Sequence, residues 1–319
     1  MYSKIVNPMT GRRISITGKL GKIILRNYIN ILMGGAAVHG GDADTSHLPL
    51  RSLAYTATSR WGSSEETRVG AARNFATLVA DNKIVYSDIV SLQSWITENS
   101  NGKHILIEDM HGRKVHPFFL SLTLDALSES HKKLIFEALI TGGSTLPTER
   151  IERIQHFFGP IIKHNSRCDA SVQDYITVYE KTITNGIVVE PGDYDWAQAE
   201  HYSDRREHLK ARYRMNDEIA TNKISNQLEP VIAFYGKEHT VSRRSHASDN
   251  LGIPDYLAPG TFFVYRPIIY PYTGYSKQIK NLVENATSDL TENKIVIVPC
   301  ELDIDWGHYF ILIPKDLVP

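Results

Sequence analysis

The chain has 319 residues, 42% hydrophobic and 22% charged, enough for one large domain or two ordinary ones and too much for a peptide or a disordered tail. Thirty-five Lys and Arg against 36 Asp and Glu give a net charge of -1, so no whole-molecule field would hold it on nucleic acid or an anionic membrane. Two cysteines, Cys168 and Cys300, do not make a disulfide framework or a thiol-rich zinc site, and no apolar run approaches the roughly 18 to 20 residues that span a bilayer.

Residues 1–41 carry Lys4, Arg12, Arg13, Lys19, Lys22 and Arg26 and no acidic residue, a local charge of +6 that leaves the remainder at -7. Asn7-Pro8 and Thr10-Gly11 are turn dipeptides, and Ile14-Ser15-Ile16 alternates as a short strand does. Leu20, Ile23, Ile24, Ile31 and Leu32 recur at helical spacing before Gly34-Gly35. The head is therefore expected to be a basic docking element of turn, strand and amphipathic helix. Arg12, Arg13 and Lys22 are its candidates for binding phosphate or an acidic partner, nucleic acid included.

Residues 42–60 turn to Gly, Asp, Ser, Thr and small side chains, the composition of a linker. Over 61–192 the spacing predicts an α-rich domain. It has one pattern through Val69, Phe75, Leu78 and Val79, and another through Ile89, Leu92 and Ile96 with Ser87 as its cap. A long one runs from Pro117 to Ile140 and stops at Gly142-Gly143, and a further one is capped by Thr148. Glu108, Asp109, His111 and His116 raise the thought of a metal cluster. Their spacing fits no zinc helix motif, so they read as a polar turn around Gly112, and no metal or other cofactor is expected.

Residues 193–319 read as α plus β: one helix after Asn216, a polar loop from Ser242 to Pro259, and apolar runs at Phe262–Tyr265, Ile295–Val298 and Tyr309–Ile313. The last two runs flank a short acidic loop, and His308 stands at the mouth of the second, a placement that suits a general base. The overall expectation is an α+β protein.

Ile295 to Leu302, then His308-Tyr309 and Phe310 to Ile313, follow the order of a strand, a polar loop and a histidine-led strand. Asn216-Asp217 enters a helix upstream, with Phe262 to Tyr265 and Gly274-Tyr275 between. In this order the last third resembles the ubiquitin-like-protein (SUMO) proteases and the related adenovirus-type and large-DNA-virus cysteine proteases. That resemblance implies a partial papain-like cysteine-protease domain cleaving after small residues such as Gly-Gly. His308 would be the catalytic base, and Trp306, Tyr309, Asn216 and Asp217 would lie along the substrate channel. Arg214 and Tyr309 stand where the family has tryptophans, and its acid and nucleophile would fall beyond Pro319, so the chain as given is expected to be inactive. Cys300, beside Glu301, Asp303 and Asp305, and Cys168 both read as structural thiols.

Asn7-Pro8-Met9-Thr10-Gly11-Arg12-Arg13-Ile14 also resembles an element found in proteins of nucleocytoplasmic large DNA viruses. Together the resemblances imply an intracellular setting, the cytoplasm, virus factory or virion, and a protein substrate or a ubiquitin-like or viral polyprotein partner, with no membrane. The alternatives are a non-catalytic scaffold or protein-interaction protein, and a nucleic-acid-associated protein using the basic head.

Overall fold

The computed structural model describes residues 4–6, 13–15, part of 70–81, 83–100, 102–164, 168–193, 215–240, 252–258, 260–270, 292–299 and 308–319. The expected basic helix of the head, the 42–60 linker, Arg12, Lys22, Cys300, Trp306, and Gly274-Tyr275 with the helix after it lie outside the described residues.

At the head, β1 (Lys4–Val6) and β2 (Arg13–Ser15) pair antiparallel, with Ile5 opposite Ile14. The main body is α+β, as the sequence led us to expect. Its strands are β3 (Ile84–Tyr86), β4 (His104–Asp109), β5 (Lys133–Ile140), β6 (Val188–Asp193), β7 (Ile232–Gly236), β8 (Phe262–Tyr270), β9 (Ile295–Pro299) and β10 (His308–Pro314). They form one mixed sheet in the order β3-β9-β10-β8-β4-β7-β5-β6. From β10 to β6 every neighbour is parallel, and β9 runs antiparallel to both β10 and β3. Because β7 lies between β4 and β5, the regions expected as two units, 61–192 and 193–319, share this sheet.

Strands buried on both faces alternate between two cores. Ile105, Ile107, Leu134, Phe136, Ile232 and Phe234 face one side, which is covered by α1 (Ile89–Ser100), α2 (Val115–Leu127), α3 (Pro147–His164) and α4 (Val172–Thr184). Leu106, Ile135, Ala233, Tyr235 and Val264 face the other, against Ile219, Ala220 and Ile224 of a π-helical segment (Ile219–Ser225) and Ile253 of a 3-10 turn (Ile253–Tyr256). Burying such side chains contributes roughly 1.5–3 kcal/mol each.

The caps follow local chemistry. Ser171 and Asp174 close a reciprocal capping box on α4. For α1 the capping side chain is Asp88, whose Oδ1 accepts from Ser91 N at 2.7 Å, rather than the expected Ser87. The helix expected from Pro117 to Ile140 is instead α2, a turn, and β5. In Leu134-Ile135-Phe136 every side chain is buried, and a continuous apolar run of this length does not distinguish a doubly covered strand from a buried helix. Gly142 accordingly ends a strand, with φ +81°. Among the described residues no helix is long and apolar enough to cross a membrane.

Candidate functional site

Connections leave β4 and β7 in opposite directions. From β4 the chain passes through α2 to β5, on the far side of β7; from β7 it passes to β8, on the far side of β4. Neighbouring parallel strands whose connections diverge open a crevice beyond their carboxyl ends, the place where open α/β sheets hold ligands. Here that crevice is lined by ionisable side chains buried to an unusual degree: Glu108 and Asp109 at the end of β4, Glu137 on β5, Arg266 on β8, and His239 in the short helix α5 (Lys237–Thr240) directly after β7.

Asp109 and His111 form the first arm. His111 Nδ1 lies 2.7 Å from Asp109 Oδ2. A carboxylate only accepts, so the proton of the neutral ring sits on Nδ1 and its lone pair on Nε2. That Nε2 is 3.9 Å from Glu137 Oε2. Phe157 and Phe158 meet the imidazole edge-on with ring centroids 5.4 and 5.7 Å away, fixing its plane. Asp109 is held in turn by the Tyr175 hydroxyl, which donates to Asp109 Oδ1 at 3.4 Å and accepts from Gly112 N at 3.0 Å. Burial, with Asp109 alongside, pushes the Tyr175 phenol well above its ordinary range, so it remains a donor.

The second arm comes from β7. His239 Nδ1 donates to Asn216 Oδ1 at 2.6 Å, and its Nε2 stands 3.4 Å from Glu137 Oε1. Glu137 therefore lies between two imidazoles, while its Oε2 also accepts from the backbone N–H of Gly236. Exposure separates the rings: the His111 side chain is 26% accessible and that of His239 6%, so a substrate arriving from solvent meets His111 first.

Two further titratable groups are held by backbone oxygens. His116 Nδ1 donates to Glu108 O at 2.7 Å, and burial holds its pKa down against the pull of Asp109 and Glu108. Lys223 Nζ donates to Thr141 Oγ1 at 3.1 Å and to Pro191 O; burial lowers its pKa against the pull of Glu190, Asp193 and Glu218. Among the described residues no group of three His, Cys, Asp or Glu is arranged to hold a metal ion.

Among the described residues, Asn216, Asp217, His308 and Tyr309 stand at separate places. His308 opens β10, which pairs antiparallel with β9, Phe310 opposite Val298. Its backbone is level with Val264 on β8, which is level with Leu106 on β4 and so with Ala233 on β7, three residues before the carboxyl ends of β4 and β7 at Asp109 and Gly236. Asn216 bonds His239 just past the carboxyl end of β7, three strand positions and about 14 Å sideways from β10. Asp217 is exposed and accepts from Thr221 Oγ1 at 3.2 Å, outside the cluster. Tyr309, expected to wall a channel, packs edge-on to Trp95 at 5.0 Å and to Phe263 at 5.6 Å in the core under α1.

The polar turn read around Gly112 is present at Met110–Arg113 and contains His111, but Glu108 and Asp109 end β4, which runs buried to Asp109, and the three together begin the cluster. Glu137 had no sequence signal apart from interrupting the apolar run Leu134 to Ile140, and His239 none apart from following the apolar run Ile232 to Tyr235. Cys168 is half-buried against Gly112, and burial raises its thiol pKa. No family model and no curated protein matches the sequence. Among solved structures, the type III effector HopBA1 is similar at 15% identity and a TM-score of 0.40, over 57% of this chain and 83% of that one. At that likeness neither fold nor activity transfers.

Proposed function

We propose that the chain is an acid–base hydrolase in which His111 is the general base, oriented by Asp109, with Glu137 and His239 completing the centre. The observation that carries this is the Asp109–His111 pair, which leaves the basic nitrogen of the most accessible ring facing Glu137 across 3.9 Å in the switch-point crevice. In hydrolysis His111 Nε2 takes a proton from water as its oxygen bonds to the electrophilic carbon. The imidazolium then returns that proton to the departing oxygen or nitrogen. Burial of the surrounding carboxylates strengthens each of these interactions relative to water.

The test is a panel of activated carboxylic esters and peptide anilides assayed with the full chain. His111→Ala and Glu137→Gln are each expected to lower the rate by about 100- to 10,000-fold. Rates unchanged in both variants would remove the proposal.

A second reading keeps the cysteine-peptidase resemblance, with His308 as base and a protein substrate. The antiparallel pairing of β9 with the strand that His308 opens supports this reading. It predicts that the chain as given, whose two thiols read as structural, shows no thiol-dependent cleavage of a Gly-Gly reporter; cleavage that Cys300→Ser abolishes would overturn it.

A further inference from the structure

One arginine ties the two arms of the crevice together. Arg266 is almost wholly buried on β8, one position beyond the Ile107–Tyr265 pair and therefore level with Glu108. Its Nε donates to Glu108 Oε2 at 2.9 Å and its Nη2 to the backbone carbonyl of Thr240 at 3.2 Å. Thr240 Oγ1 donates to the same Glu108 oxygen at 3.2 Å.

Thr240 follows His239 and ends α5, a helix of four residues. So short a helix cannot sustain itself, since one turn does not offset the cost of nucleation. Its position therefore depends on contacts from outside, and Arg266 reaches it from two strands away. The same guanidinium holds Glu108, whose neighbour Asp109 orients His111. A buried ion pair is a poor way to add stability, because desolvation consumes most of the attraction. What the planar guanidinium offers here is geometry: two donors aimed at two acceptors on different elements, which the single ammonium of lysine does not reproduce.

We propose that Arg266 is a positioning residue of the acid–base centre, gripping Glu108 and the Thr240 carbonyl together so that the His239 imidazole meets Glu137. Its functional meaning rests on the acid–base reading above, but the placement is measurable without a substrate.

The experiment uses the full chain with ring-15N histidine, read by long-range 1H–15N spectra, with the His239 signals assigned from His239→Gln. In Arg266→Lys the His239 ring signals are expected to shift or broaden, while those of His104 and His131, at the opposite end of the sheet, stay in place. Should Arg266→Lys fail to fold, the double variant Glu108→Gln/Arg266→Met removes both charges together and leaves no unpaired carboxylate; it is expected to disturb His239 in the same way. His239 signals unmoved in a folded variant overturn the proposal. With an ester that the chain hydrolyses, Arg266→Lys is expected to lower kcat by about 100-fold at constant KM. Displaced His239 signals with an undiminished rate would leave the positioning intact and overturn the acid–base reading instead.

Discussion

The His111 imidazole lies directly over Gly236, and a Cβ at that glycine would stand 2.9 Å from His111 Nε2 and 3.1 Å from Glu137 Oε2. β7 separates β4 from β5, so His111 reaches Glu137 only by crossing the end of β7 where no side chain intervenes. Gly236→Ala should therefore push the ring away from Glu137 while leaving the strand paired. The expected result is a loss of hydrolysis of at least about 100-fold with a stability change of about 1–3 kcal/mol, measured by ester turnover and urea unfolding.

Asp109→Asn tests tautomer control. Its amide can donate to His111 Nδ1 and so favours the ring with its proton on Nε2, the wrong nitrogen for a base. A fall of about 100-fold or more is expected, with the far-UV circular dichroism unchanged. Tyr175→Phe, which removes one donor to Asp109 and one acceptor from Gly112, should lose less activity and cost about 1–3 kcal/mol of stability.

Gly112 turns the chain between His111 and α2 with φ +86°, and a Cβ there would lie 2.1 Å from Cys168 Sγ. Gly112→Ala thus meets both backbone strain and a clash, and is expected to cost more than about 1 kcal/mol. Adding Cys168→Ala should relieve the clash and leave the backbone part, so the double variant unfolds at a urea concentration between those of Gly112→Ala and the parent.

Acid should weaken the fold through three histidines. Burial lowers the pKa of His104, His116 and His131 below 6.5, and for His104 the charge of His131 acts in the same direction. As pH falls below 6.5 the unfolded chain takes up protons before the folded one, so stability is full above 6.5 and declines as pH drops toward the folded values. Urea midpoints measured from pH 7.5 down to 5 should fall accordingly. In His131→Asn, which retains side-chain hydrogen bonding to Ser130 or Lys103, the decline should be shallower.

Some elements are legible in the residues alone. Phe262 to Tyr265, Ile295 to Val298 and Tyr309 to Ile313 are strands because β-branched and aromatic side chains run continuously there, and Ile89, Leu92 and Ile96 mark α1 by their spacing. β5 was hidden because Lys133–Ile140 carries its apolar side chains toward both cores, which erases the two-residue alternation by which a half-exposed strand is recognised. The site was hidden for another reason. Asp109 and His111 are near neighbours, but Glu137, Asn216 and His239 come from distant parts of the chain, at spacings of no recognisable motif.

The order of residues by itself determined that this is an α+β chain with a basic head, helices at α1, at the start of α2 and at α3, and apolar strands toward its end, whereas α4 and the strands β4 to β6 of the middle went unread. Strand order was decided only in three dimensions, since parallel pairing depends on how crossovers pack and no local pattern places β7 between β4 and β5. That one insertion brings Gly236 beneath His111 and sets Glu137 between two imidazoles.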